Sequence, residues 1–420
     1  MATNSFLRLG SANTYENALR NLNARHAGLA GLQENLSSGK RVLRPSDDPT
    51  AAAQAERALT RISRIQTEQR ALELQRNTLA LSESTLADAN GLLQNFRDLA
   101  VAAGNGANSP RERETLAAQM TAVREQIFAL ANRKDTNGMP LFSGLGSTGT
   151  PFETSIDGVA PDPDYAFNGL PGQISATETS VPFTMDGRGT WMDVIETNGV
   201  FGVALGAANT GKAYSDVGQV TNPAALTGDD YTIQFTVTGT TVTYDVVNNT
   251  TATTVLSALP YKAGQAIQFD GISLTVKGVP NNGDTLVLTP NDPNPANRPS
   301  VFGVLDRAIA GLFNPGTSTG ADSTSANFNH ELAISLAQID TSLEKLQRSR
   351  SQAGDLLNRA DRISDNQELR NVQLEDDRSK AEDLDMIKGL SDFQNQQTGY
   401  EAALKSYAQI QKLSLFNFIG

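Results

Sequence analysis

The chain has 420 residues, room for two or three domains, and a net charge of −12 at pH 7. It contains no cysteine and only two histidines, which excludes disulfides and cysteine nucleophiles and leaves little for a histidine-based metal site. Between residues 150 and 300, fifteen acidic residues stand against five basic ones, and such an acidic segment disfavours nucleic-acid binding.

The beginning of the chain does not look like a cleaved targeting segment. The first twenty residues lack the apolar run of a secretory signal peptide. No stretch approaches the roughly 18 to 20 apolar residues that cross a membrane. The sequence therefore predicts a protein that is not inserted in a membrane, and it leaves open whether that protein acts inside or outside the cell.

The N-terminal part has the periodicity of long helices. From about residue 13 to 38, apolar positions alternate at three- and four-residue steps, the seam of a coiled coil. Because His26 falls on this seam, we expect a packed histidine and not a metal ligand. A longer helix is predicted from about 50 to 103 and a third from about 109 to 133. The core positions of the longer helix recur every seven residues, at Ile65, Leu72, Leu79, Leu86 and Leu93.

The pattern changes at residues 134 to 152, where Gly and Pro stop further helix. Apolar and polar residues then alternate on both sides of Thr238-Gly239 and of Asp270-Gly271, the signature of β-hairpins. A further strand is predicted from Leu286 to Leu288. This middle segment predicts an all-β domain, a small sandwich or barrel.

Helical periodicity returns after a proline-rich linker at 291 to 299. One seam runs from Leu336 to Ala360, and a final helix is predicted from about 365 to 414. The order of elements predicts an α+β multi-domain fold. In this fold both chain ends build a long antiparallel helical bundle or coiled coil, and an all-β domain is inserted between them.

The two terminal helices carry apolar stripes wider than one partner helix covers. Exposed apolar surface on that scale marks an interaction site. Burial of the five large apolar side chains in the tail LSLFNFI, 413 to 419, at roughly 25 cal/mol per Å² would contribute several kcal/mol on assembly, before ordering costs. The candidate assembly interface consists of Leu19, Leu22, Leu29, Leu36, Tyr400, Leu404, Tyr407, Ile410, Leu413, Leu415 and Phe416.

A short stretch between two predicted helices, SSGKRVLRPSDDPT at 37 to 50, raises the question of a phosphate or metal site. Its Gly-Lys pair is followed by Arg41, where a phosphate loop has Ser or Thr. Asp47 and Asp48 are adjacent, so their carboxylates point apart, and no third metal ligand is near. The stretch therefore matches neither kind of site.

The same stretch fits a corner between helices. Gly39 stands where a helix end favours a left-handed residue, and Pro45 favours an extended chain before it. Asp48 before Pro49 is a predicted N-cap, and Asp47 is expected to face the positive end of the helix dipole. The candidate inter-domain corner consists of Gly39, Arg41, Pro45, Asp47, Asp48 and Pro49.

No arrangement of residues indicates catalysis. The carboxylates of the β segment, such as Asp270, Asp284 and Asp292, are scattered among turn residues, where turn formation accounts for them. No sequence spacing proposes a facing pair of carboxylates. We therefore expect no catalytic residue, no cofactor and no bound metal.

Four stretches carry a family resemblance: SSGKRVLRPSDDPTAAAQAE, LAVAAGNGANSPRERETLAAQM, NGMPLFSG and YEAALKSYAQIQKLSLFNFIG. They closely resemble the hook-associated protein 3 family of the flagellin superfamily, over roughly 1 to 145 and 330 to 420. The proline-serine form of PSDDP and the ending KLSLFNFI favour this family over flagellin itself. The hairpins around 268 to 288 also look like the inserted domain of hook-associated proteins.

The resemblance implies three parts. Residues 1 to 44 with 375 to 420 would form the terminal coiled coil that lines the inner tube of an axial assembly. Residues 45 to 150 with 300 to 374 would form a helical bundle with a β-hairpin. Residues 151 to 299 would form the outward-facing β domain.

The resemblance also implies partners and a location. The family forms a ring between hook-associated protein 1 and the flagellin filament, so the expected partners are these two proteins and further copies of the chain. An export chaperone and the flagellar type III apparatus are expected to deliver the chain unfolded, without a cleaved signal peptide. The expected location is the extracellular hook–filament junction of the bacterial flagellum.

Three alternatives stay open. A divergent flagellin would form the filament itself. An adhesin or carbohydrate-binding unit on a coiled-coil stalk would need an aromatic platform, whereas the few aromatic residues between 225 and 300 fall mostly at strand-core positions. An enzyme would need converging carboxylates or a bound metal in the β domain.

Overall fold

The computed structural model describes residues 11–105, 108–146, 149–154, 165–294, 298–313 and 321–419, without the side chains of 11–15, 110, 313, 321–324 and 410–419. The chain divides into two compact units. The first combines Met1–Arg70 with Ser364–Gly420, and the second is Ala71–Ile363.

Seven α-helices lie in the described residues. They are α1 (Ser11–Ser38), α2 (Pro49–Ala103), α3 (Pro110–Ala131), α4 (Gly187–Trp191), α5 (Val301–Phe313), α6 (Ala321–Glu382) and α7 (Met386–Ile419). None of them, within the part of the chain that is described, is both long enough and apolar enough to cross a membrane.

In the first unit, α1 packs along α7. The ends of two long polar side chains lie over glycines of the facing helix: Gln396 over Gly28, and Arg25 over Gly399. Among the described residues, the buried apolar side chains of this unit are few: Leu22, Ile62 and Ile65, with the smaller Val42, Ala51, Ala55, Ala58 and Ala381. The apolar core of this unit is therefore small.

In the second unit, α2 and α6 run antiparallel and carry the main core. The leucines of the heptad pattern from Leu72 to Leu93 are buried there with residues of α3 and α5. Surface ion pairs between α2 and α6 show the antiparallel direction, because the residue numbers of the paired side chains rise along α2 and fall along α6. These pairs are Arg76 with Asp361, Glu83 with Arg350 and Arg97 with Asp340, at 2.8, 2.6 and 2.6 Å.

The β-strands of the described residues also belong to the second unit. They are β1 (Phe152–Thr154), β2 (Tyr165–Phe167), β3 (Phe201–Leu205), β4 (Tyr214–Ser215), β5 (Gln219–Val220), β6 (Tyr231–Thr238), β7 (Thr241–Asn248), β8 (Thr253–Pro260), β9 (Ala266–Phe269), β10 (Ile272–Lys277) and β11 (Thr285–Pro290).

The strands form two sheets over one apolar core and a separate hairpin. The larger sheet has the order β3-β11-β6-β7-β8, and in the smaller one β10 pairs with β4, β5 and β9. Side chains of both sheets share a core that includes Phe235, Val276 and Leu288. Both predicted hairpins, β6–β7 and β9–β10, are present and antiparallel. The predicted α+β fold with an inserted β domain is thus confirmed.

Two expectations from the sequence are wrong. The final helix does not begin near 365, because α6 continues to Glu382 and α7 starts after a break, where the Asp385 carboxylate accepts the N–H groups of Ile387 and Lys388 at 3.1 Å. His26 is not a packed core residue: it is exposed, and its ring lies 5.8 Å from that of Tyr400. In the part of the chain that the structure describes, α7 is the helix that packs along α1.

Candidate functional site

The corner after α1 is built from local hydrogen bonds. Gly39 follows α1 directly with φ +71°, a left-handed conformation that glycine adopts without steric cost. Asp48 precedes Pro49, the first residue of α2, and its Oδ1 accepts the N–H of Ala51 at 3.0 Å. This bond from Ala51 is the largest cause of a lowered pKa of Asp48, followed by a bond from the Thr50 hydroxyl.

The sequence predicted that Asp47 faces the start of α2, and this prediction is wrong. Its Oδ2 accepts the N–H groups of Leu43 and Arg44, at 3.2 and 2.9 Å. The carboxylate thus closes the turn around Pro45, because two amides left unpaired by that turn are nearer than the helix end. Asp48 alone caps α2, and the two aspartates have separate structural roles.

The corner is joined to the break between α6 and α7, a contact that the sequence did not predict. The Arg41 N–H donates to the Glu382 carbonyl at 2.7 Å, and the Leu384 N–H donates to the Gly39 carbonyl at 2.9 Å. The Arg41 guanidinium donates to the Ala381 carbonyl at 2.9 Å, and Lys40 forms an ion pair with Glu382. The connection from α1 to α2 and the connection from α6 to α7 therefore lie side by side.

A basic cleft of about 540 Å³ opens beside this corner. Arg57 and Arg61, one turn apart on α2, line it together with Asp377 and Lys380 of α6. The guanidinium and ammonium groups of its cationic side chains can bind oxyanions such as carboxylates. The cleft was not found from the sequence, since α2 and α6 are distant in the chain.

The predicted assembly residues lie along the paired helices α1 and α7. Leu22 is buried, whereas Leu404 is 41% exposed. Leu19, Leu29, Leu36, Tyr400 and Tyr407 are half-buried. The last turns of α7 contain Ile410, Leu413, Leu415 and Phe416, whose side chains lie outside the described residues. The described part of the pair thus keeps an apolar strip partly open to solvent.

Further exposed apolar side chains, which the sequence reasoning missed, lie around the α6–α7 break. Ile387 in the first turn of α7 is 86% exposed, with Met386 and Leu390 beside it also exposed. Leu369 and Val372 on α6 are exposed as well. The sequence does place three apolar residues within one turn after Asp385. They were not predicted to be exposed because one continuous helix was expected there.

Nothing in the described residues assembles into a metal site: no group of three or more His, Asp or Glu side chains there converges. The turn carboxylates have structural partners instead. Asp284 accepts the backbone N–H groups of Thr210, Gly211 and Asn281, at 2.8, 3.1 and 2.7 Å. The Asp270 carboxylate accepts the Tyr231 hydroxyl at 2.8 Å. These two carboxylates therefore hold neighbouring loops and strands together.

Comparisons with known proteins agree with this architecture. The family described as bacterial flagellin N-terminal helical region matches residues 11–147, and the bacterial flagellin C-terminal helical region matches residues 336–419. Flagellar hook-associated protein 3 of Salmonella typhimurium is 34% identical over 154 residues, which is 36% of this chain and 48% of that protein. The chain thus spans about half the length of the curated relatives it matches.

Solved structures extend the similarity over more of the chain. The flagellar junction protein of Legionella pneumophila is 30% identical with a TM-score of 0.64, covering 73% of this chain and 99% of that one. A homologue of that junction protein from Xanthomonas campestris is 26% identical to this chain with a TM-score of 0.66. The similarity covers 77% of this chain and 99% of the homologue. With flagellin regions matched at both helical ends and a junction protein matched along nearly its whole length, the chain belongs to the hook-associated protein 3 family of the flagellin superfamily.

Proposed function

We propose that this chain is a structural subunit of the bacterial flagellum that joins the hook to the filament. The observation that carries the proposal is the pairing of α1 with α7, which leaves Leu404 and the α7 start exposed in a single chain. Such a pair gains stability when further copies cover its apolar strip. The role is one of assembly, and no catalytic step is part of it.

The three predicted parts remain our proposal for the assembled subunit. Residues 1 to 44 with 375 to 420 line the inner tube, 45 to 150 with 300 to 374 form the surrounding bundle, and 151 to 299 face outward. The bonded corner at 39 to 48 supports a boundary there, because it ends α1 and starts α2 in a fixed geometry. The separate core of residues 201 to 288 supports the third part from that point on, whereas Phe152, Tyr165 and Trp191 belong to the core of the helices.

The proposed partners are hook-associated protein 1 on one side, flagellin on the other, and further copies of the chain in a ring. An export chaperone and the flagellar type III apparatus deliver the chain to an extracellular position. The exposed apolar side chains of α7 support the need for a chaperone, since an uncovered strip of this kind promotes aggregation. The basic cleft at Arg57 and Arg61 supports contacts to acidic groups of neighbouring subunits.

Deletion of the gene, followed by electron microscopy of the cells and an assay for flagellin in the medium, tests this function. We expect cells with hooks, without filaments, and with unattached flagellin in the medium. Restoring the gene on a plasmid is the control and should restore filaments. Normal filaments in the deletion strain would contradict the proposal.

A divergent flagellin is the second candidate, because a flagellin of Clostridium tyrobutyricum is 27% identical over 128 residues, 34% of that protein. Purified chain that grows into long filaments without partners would favour flagellin. The adhesin alternative has less support, since Tyr231, Phe235, Tyr244 and Phe269 are buried in the β core and cannot form a sugar-binding platform.

A further inference from the structure

We propose that copies of this chain contact each other through two unlike faces of the first unit, so that a face on α2 of one copy meets a face on α6 of the next. The inference rests on the proposed function, because it names the partner of the basic cleft. The arginine face consists of Arg57 and Arg61 on α2. The acidic face on α6 consists of Asp365, Glu368, Leu369 and Val372.

The arginine face is exposed and has no use within one chain. Its two arginines are four positions apart, so they lie on the same side of α2. Each directly precedes a buried residue, Ala58 or Ile62, and one residue turns a helix by about 100°. The arginine face therefore points to the flank of α2. In the part of the chain that the structure describes, neither guanidinium has an ion-pair or hydrogen-bond partner, and Asp377, which lines the same cleft, pairs with neither.

The acidic face combines carboxylates with exposed apolar surface. Its four residues follow at steps of three, one and three, positions that share one side of a helix. Leu369 is 70% exposed and Val372 is 63% exposed. Gln367 lies two residues from both Asp365 and Leu369 and is buried, and two residues turn a helix by about 200°. The acidic face therefore points away from the core, and among the described residues its carboxylates have no ion-pair partner.

The two faces are complementary in charge and spacing. Residues 57 to 64 of α2 contain three arginines and no acidic residue, whereas residues 364 to 377 of α6 contain five acidic residues and one arginine. The two arginines of the arginine face are about 6 Å apart along the helix axis, and the two carboxylate-bearing residues of the acidic face about 4.5 Å. Guanidinium groups bind carboxylates strongly, and the arginine stems would cover the apolar side chains between the charges.

A second copy of the chain is the occupant that these observations favour. Both faces belong to the same compact unit, so every copy offers both. They point in different directions, which allows one copy to use both at once. A contact between unlike faces repeats from copy to copy and builds a ring or a helical array. A contact of either face with itself would bring like charges together, which disfavours a simple two-fold dimer.

Charge reversal on one face and then on both faces tests the contact. The full chain is expressed in the deletion strain, and its amount in isolated hook–filament preparations is measured by immunoblot relative to the number of hooks. We expect Arg57→Glu with Arg61→Glu to lower this amount about tenfold or more, because like charges then meet. Asp365→Lys with Glu368→Lys should have the same effect. All four substitutions together should restore the amount to within about twofold of wild type, because opposite charges face each other again.

Controls separate this contact from folding, export and total charge. Lys262→Glu with Lys277→Glu makes the same change in net charge at exposed positions of the β segment, and should assemble like wild type. Purified variants should unfold at the same urea concentration as wild type, since the substituted side chains have no ion-pair partner in the described chain. Chain released into the medium shows that export is intact. If a reversal variant does not fold, Arg57→Gln with Arg61→Gln replaces it and should show a smaller loss.

Normal assembly of either double variant would overturn the inference. Failure of the fourfold variant to assemble better than the double variants would also overturn it, because each face would then contact a different protein. These results differ from failure of the proposed function. Wild-type chain absent from the hook–filament preparations would contradict the proposed function, whereas wild type and all variants present in equal amounts would contradict only the contact between copies.

Discussion

At the scale of single residues, the structure assigns the stretch from Gly39 to Pro49 to chain geometry and not to chemistry. The left-handed glycine and the Asp48 cap were predicted correctly from residue type, because such preferences are local. The role of Asp47 was not predicted, because its carboxylate binds the N–H groups of Leu43 and Arg44 and does not face the start of α2. That role depends on which amides the folded turn leaves unpaired.

Gly39→Ala should lower the free energy of unfolding by about 1 to 2 kcal/mol, since a Cβ is disfavoured at φ +71° while no atom lies within 4 Å to clash with it. Urea unfolding followed by far-UV circular dichroism measures the change. Gly31→Ala on α1 is the matched control, because that site is also open but helical. It should be neutral or stabilising, and equal losses in both variants would argue against strain at the corner.

Asp48 should make the corner sensitive to acid. Its folded-state pKa is lowered by the bond from Ala51 first and then by those from Thr50 and Arg41. The stability it contributes is therefore present above the unfolded pKa, about 3.9, and is lost as the pH falls through the lower folded value. Asp48→Asn keeps a capping oxygen and removes the titration. The urea midpoint of the wild type should fall more than that of the variant between pH 7 and pH 3, and parallel curves would contradict the capping role.

At the scale of elements, the heptad pattern of α2 predicted its buried face correctly because periodicity follows from helix geometry alone. Leu79, Leu86 and Leu93 are fully buried. The break at Asp383 to Asp385 was missed, since it depends on pairing with the corner more than 340 positions away. The hydrogen-bond partners of His330 on α6 could not be predicted either, because they are backbone carbonyls of strands that the sequence did not predict.

Leu86→Ala should cost about 2 to 5 kcal/mol of unfolding free energy, because it opens a cavity in the core of the second unit. Leu74→Ala on the same helix is the matched control. Leu74 is 54% exposed, so its truncation should cost well under 1 kcal/mol. Chemical denaturation of both variants measures the difference, and similar costs would refute the assignment of the α2 core face.

At the scale of the whole molecule, the described residues of the first unit bury fewer apolar side chains than those of the second. Under the proposed function, neighbouring subunits cover the exposed apolar positions of the α1–α7 pair. The contrast between the two cores fits that proposal, in which a separately folded part carries ends that serve assembly.

Leu404→Asp should abolish assembly, because it places a charge on the exposed apolar strip of α7 without changing the β domain. Ala402→Asp, an exposed position in the same turn, adds the same charge and should be tolerated. Swimming on soft agar and electron microscopy of complemented deletion cells compare the two. Wild-type motility with Leu404→Asp would show that this strip is not an assembly surface.

The location of the chain along the flagellum tests the central claim most directly. Native flagella labelled with a gold-conjugated antibody against the β segment can be imaged by electron microscopy, with flagella of the deletion strain as the control for specificity. A structural subunit of the hook–filament junction should give label confined to one short zone where the hook meets the filament. Label distributed along the whole filament, or absent from flagella altogether, would contradict the account.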